Sequence, residues 1–154
     1  MYLKKLMNQQ MSKTINGVFF EYDKPNRNGR IYTKECMKDV IKQFEHRDTL
    51  MFGTIDPPEQ AEPAIETVSH KVIELHLNEE AKTLEGTVEI LPTPKGVILG
   101  NVIDALGGQE KFNENFFMAS RGYGKINEKG EVEDFVILGF DVVARSATDF
   151  LKLE

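Results

Sequence analysis

Apolar and polar positions change their period several times along the chain, and each change marks an element. Residues 17–23, "GVFFEYD", are dense in aromatic and branched side chains and predict a strand. The following "KPNRNGR" (24–30) clusters Pro25, Asn26, Asn28 and Gly29, the residues of a turn. Met37, Val40, Ile41 and Phe44 then recur at helical spacing behind Thr33, so a capped helix is expected from 34 to about 46. Tyr32 and Met37 flank that cap as a hydrophobic staple. The stretch 49–64, "TLMFGTIDPPEQAEPA", starts as a short strand and turns into a proline-broken loop.

Two strands follow. In 66–78 the apolar phase slips between Val72 and Ile73, which calls for a bulge or burial on both faces. In 84–91 the alternation is clean, with Leu84, Val88 and Ile90 inward and Glu85, Thr87 and Glu89 outward. "NEEAK" (78–82) joins them as a hairpin turn. Thr93 as cap, Pro94 at the first position and Gly107-Gly108 as the stop frame a second helix, with Ile98, Leu99, Val102, Ile103 and Leu106 as its buried stripe. Residues 116–126 and 131–144 form a long hairpin across "NEKG". Mainly antiparallel strands with two helices imply an α+β fold around a partly closed sheet.

The 154 residues fit one domain (15–154) behind a short N-terminal arm (1–14) that orders against a partner. A 40% hydrophobic and 29% charged composition is that of a globular chain. The net charge of −6 opposes general nucleic-acid binding, which needs a basic face to displace counterions. No apolar run approaches the roughly 18 residues of a membrane helix, and the opening residues lack the apolar stretch of a secretory signal. The single cysteine, Cys36, excludes an internal disulfide and favours a reducing compartment. No residue spacing indicates a metal or another cofactor.

Ser120, in "ENFFMASRGYG" (114–124), is the candidate nucleophile, and a serine hydroxyl needs a base within roughly 2.6–3.2 Å. Of three histidines, His46 ends the first helix and suits its dipole. His76 shares a polar phase with Glu74 and is expected in solvent. His70 is in phase with Val68 and Val72 and points inward, where a backbone-bonded histidine is the ordinary outcome and a base for Ser120 the sharper one. Arg121 with the Gly122 backbone could supply an oxyanion hole, although an arginine there more often serves a salt bridge.

Six blocks in one order, spanning residues 26–147, resemble the prohead maturation proteases of tailed phages, relatives of herpesvirus assemblin. They are "NRNGRIYTKE" (26–35), "GTIDPPE" (53–59), "VSHKVIEL" (68–75), "VEILPTPKGVIL" (88–99), "MASRGYG" (118–124) and "DFVILGFDVVARSA" (134–147). The resemblance implies an assemblin-like sheet or barrel of five to seven strands with two helices. It implies a serine endopeptidase that trims scaffold and capsid precursors, with Ser120 and His70 as the only dyad left. Two departures point the other way. Where the family pattern G-E-L-D/N-H-P carries its histidine base, this chain has Pro57, and the first serine of S-S-R-G is Ala119. Whether Ala119 or Ser120 stands at the nucleophile position is open at the level of sequence, because a one-residue shift along a strand reverses the face. The expectation is a silent relative that binds capsid, scaffold or other virion proteins in the host cytoplasm and on the virion, with no nucleic acid or membrane and with room for a homo-oligomer. Its contact surfaces are expected on the arm and on loops 54–64 and 107–115.

Overall fold

The computed structural model describes residues 13–56 and 61–145. The expected arm lies outside the described residues up to position 12, and Pro57 lies outside them as well. Strand β1 (Thr14–Glu21) opens the fold and leads through the exposed turn at 24–30, where Gly29 takes φ 77, into helix α1 (Lys34–Glu45). The Thr33 side chain accepts from the Cys36 amide at 3.1 Å and caps that helix as expected. Met37 and Val40 are buried beneath it, with Ile41 and Phe44 half-buried.

Strand β2 (Phe52–Thr54) is short, β3 (Val68–Asn78) long, and β4 (Thr83–Ile90) returns through the expected hairpin. The register of β3 on β4 shifts between Val72 and Glu74, so the phase slip seen in the sequence is a bulge at Ile73. Helix α2 (Pro94–Ala105) starts at Thr93, whose hydroxyl accepts from the Gly96 amide and donates to the Val68 carbonyl at 2.6 Å. The cap therefore also pins the helix to β3. Leu99 and Ile103 are buried as expected, but Ile98 is 46% exposed. Gly96 takes the place against the sheet instead, where a Cβ would lie 1.8 Å from the Leu91 carbonyl oxygen.

A third helix, α3 (Gln109–Asn115), occupies the segment expected to be loop 107–115. Its one buried apolar residue, Phe112, stacks on Phe116 at 4.9 Å, too short a stripe to register as a period. Strands β5 (Phe116–Ile126) and β6 (Val132–Ala144) complete the chain.

The six strands form two sheets rather than a closed barrel, one ordered β1-β4-β3-β2 and the other β5-β6. At one seam the sheets nearly merge. A Cβ on Gly53 of β2 would lie 2.0 Å from the Phe140 carbonyl oxygen of β6, and one on Gly139 would lie 2.7 Å from that of Phe52. At the other end β1 and β5 approach each other without pairing, and a cleft opens beside them. Between the sheets Phe19, Phe20, Tyr32, Phe135 and Phe140 pack ring to ring, with centroids 4.7 to 6.2 Å apart.

Candidate active site

The β5–β6 ladder sets the face of every candidate. Residues directly opposite each other in an antiparallel pair project to the same side. Ala119 pairs with Asp141 and Ser120 with Phe140, so the two neighbours look in opposite directions. Ser120 shares the side of the core ring Phe140 and lines the cleft toward β1. Ala119 shares the side of Asp141 and Arg121, the side to which Thr54 and Ala61 are bonded.

Asp141 and Arg121 hold Thr54 and Ala61 by their backbones. The Thr54 amide donates to Asp141 Oδ1 at 3.1 Å, and Arg121 Nε donates to Asp141 Oδ2 at 3.2 Å. The same guanidinium donates to the Phe52 carbonyl at 2.9 Å and to the Ala61 carbonyl at 2.8 Å. Arg121 thus takes the salt-bridge role, its donors spent on β2, β6 and Ala61, while Gly122 stands next to it against the Val136 carbonyl and the Phe135 ring. Burial raises the Asp141 carboxyl above its ordinary range, and the Arg121 charge and the Thr54 amide act against that rise.

His70 is fully buried on β3. Its Nε2 lies 2.8 Å from the Phe140 carbonyl, and its Nδ1 lies 2.7 Å from the Ser69 hydroxyl. A carbonyl can only accept, so Nε2 carries the proton and Nδ1 accepts from Ser69. Burial lowers its pKa to about 4, aided by the Arg121 charge and opposed by the bond to Phe140. Both nitrogens are therefore occupied, and the ring ends on β6, one strand short of Ser120. His76 sits in solvent between Glu74 and Glu85, with Nδ1 2.7 Å from Glu74. His46 is exposed beyond the end of α1. None of the three imidazoles bonds to Ser120, so the structure brings His70 to the seam and leaves Ser120 in the cleft.

The sequence signalled His70 through its inward phase, but its partners Ser69, Gly53 and Phe140 could not be read locally. Asp141 was missed as a site residue, since a lone carboxylate in an apolar strand was the only signal. Cys36 offers no substitute nucleophile, because burial pushes its thiol up to about 11 and keeps it protonated at neutral pH. Among the described residues no group of three or more His, Cys, Asp or Glu side chains could hold a metal ion, and no helix is long and apolar enough to cross a membrane.

The two open antiparallel sheets make a fold shared with a solved phage capsid assembly protease. The solved structure of the bacteriophage T4 capsid assembly protease, gp21, matches with a TM-score of 0.69 at 22% identity, over 84% of this chain and 80% of that one. The resemblance to prohead proteases carried by the six sequence blocks is thereby borne out in the fold. No protein-family model matches the chain, and no curated protein matches it.

Proposed function

We propose that this chain is a catalytically silent relative of the prohead proteases, acting in phage assembly as a binding partner of capsid, scaffold or other virion proteins. Such a partner would act in the host cytoplasm during assembly and remain with the virion. One observation carries the reading: the side chain sharing a face with Asp141 and Arg121, which bond Thr54 and Ala61, is that of Ala119, not Ser120. The family pattern that the chain resembles puts its base at position 57, and on the Asp141 face its nucleophile would fall at 119; both are non-nucleophilic and non-basic here, Pro57 and Ala119. In the same direction, His70 is spent on Ser69 and Phe140, and a base with a pKa of about 4 is poorly matched to neutral pH. Arg121 and Gly122 have no oxyanion role in this reading, because the guanidinium is committed to structure.

The rival is an active endopeptidase with Ser120 as nucleophile and His70 as base. A fluorophosphonate probe discriminates the two, since an activated serine oxygen attacks its phosphorus and expels fluoride, leaving a phosphonylated serine. We expect no labelling above a heat-denatured control. Stoichiometric labelling that disappears in Ser120→Ala would establish the rival.

A further inference from the structure

In a two-stranded sheet each strand has one unpaired edge, and an unpaired edge is a row of free N–H and C=O groups. The outer edge of β6 is covered by β2 and His70. Strand β1 is guarded by α3, where Gln109 accepts from the Asn16 amide at 2.6 Å and Asn113 donates to the Asn16 carbonyl at 2.9 Å. These two side-chain amides occupy backbone groups that another strand would otherwise use. Strand β1 also packs beside β5 without pairing with it, but no side chain among the described residues occupies the β5 edge as Gln109 and Asn113 occupy that of β1. The Phe140 carbonyl is turned out to His70, so Ser120 belongs to a pair that does not exchange hydrogen bonds. Its own N–H and C=O point to the outer edge of β5. From Gly122 to Ile126 the strand is exposed, with Tyr123 62% and Ile126 52% accessible.

That edge faces a cleft of about 990 Å³ whose far wall is the turn at 24–30. Lys24, Arg27, Arg30 and Arg145 line it against one carboxylate, Glu21, which is paired with Lys24 at 2.6 Å. The Arg30 guanidinium has no ion-pair partner among the described residues, and Arg145 lies over the Phe117 ring with its Nε on the Asn113 carbonyl. A cationic cleft on a chain of net charge −6 is a local inversion of sign, which selects anions at that place.

We infer that this cleft docks an extended acidic segment of a partner protein, added as a strand along the free edge of β5 with its carboxylates toward Arg30, Lys24 and Arg145. The inference rests on the reading of the chain as an assembly partner and supplies the chemistry of what it binds. A peptide matches the edge with alternating donors and acceptors, and its alternate side chains reach opposite sides, one set to the basic rim. A sugar-phosphate backbone offers no such donors and would meet the repulsion of the acidic remainder.

The test uses the full chain and a fluorescein-labelled octapeptide alternating Glu and Val, followed by anisotropy, with a Lys-Val octapeptide and a single-stranded oligonucleotide as comparisons. We expect the acidic peptide alone to bind, and the double variant Lys24→Glu with Arg30→Glu to weaken it about tenfold or more. Lys42→Glu, exposed on α1, serves as charge-matched control and is expected to leave binding unchanged, and thermal melting confirms that each variant folds. Equal binding of the basic peptide, preference for the oligonucleotide, or indifference to the double variant would each overturn the docking surface. Mass spectrometry of the bound peptide separates the two proposals. Charge-dependent binding with cleavage discards the silent reading and keeps the cleft, whereas an intact peptide bound without regard to charge discards the cleft and keeps the silent reading.

Discussion

The His70 imidazole bridges the Ser69 hydroxyl and the Phe140 carbonyl in its neutral form, and that choice has a measurable pH signature. Its folded pKa is about 4 against an ordinary value of 6.5, so the unfolded chain binds a proton that the folded chain does not across that window. The contribution is fully present above pH 6.5 and is lost as pH falls toward 4, a change on the order of 3 kcal/mol. Asp141 works against this, because a raised carboxyl pKa makes stability fall as pH rises through its own window. Replacing the ring isolates the histidine. In His70→Gln the amide can still donate to Phe140 but cannot titrate. Urea titrations from pH 4 to 7 should show a clearly shallower rise in stability for the variant than for the parent chain, and identical slopes would refute a buried neutral histidine. Its inward orientation was legible from the phase it shares with Val68 and Val72. Its partners were not, since Phe140 is brought to it from 70 positions away.

Among the elements, β2 is the shortest strand and the most constrained in space. It passes so close to β6 that position 53 has no room for a side chain, with a Cβ there 2.0 Å from the Phe140 oxygen and 2.3 Å from His70 Nε2. Gly53→Ala should therefore push β2 off the seam and cost about 3 kcal/mol or more, read as a lower midpoint in chemical denaturation. A change under about 0.5 kcal/mol would mean that the seam is looser than described. Elements with a strong period were readable in advance: both capped helices, the bulge at Ile73 and the alternating β4. Helix α3 was not, because "QEKFNEN" carries one apolar anchor and owes its place to Phe116 and to the Asn16 backbone. Ile98 was misplaced for a related reason: α2 approaches β3 through Gly96, so the stripe is rotated toward glycine rather than toward the largest side chains.

At the scale of the whole molecule, two sheets share one tight seam and one open mouth, and the sequence conveyed the strands but not how they divide. Closure of a sheet depends on which distant edges meet, and no local pattern records that. The silent reading joins two positions far apart in the chain, 57 and 119, which the family pattern pairs in one centre. Restoring both groups in Pro57→His with Ala119→Ser should raise fluorophosphonate labelling at least about tenfold over the parent, with each single change near background. Labelling in Ala119→Ser alone would show that another base already serves that face. The open mouth has a further property of its own. Ile31 donates to the Gly130 carbonyl at 2.8 Å and accepts from the Val132 amide at 2.9 Å, which laces the 24–30 turn to the tip of the β5–β6 hairpin. Those two bonds give the basic turn and the hairpin tip a common frame, so the spacing between the cations and the strand edge is fixed by the backbone itself.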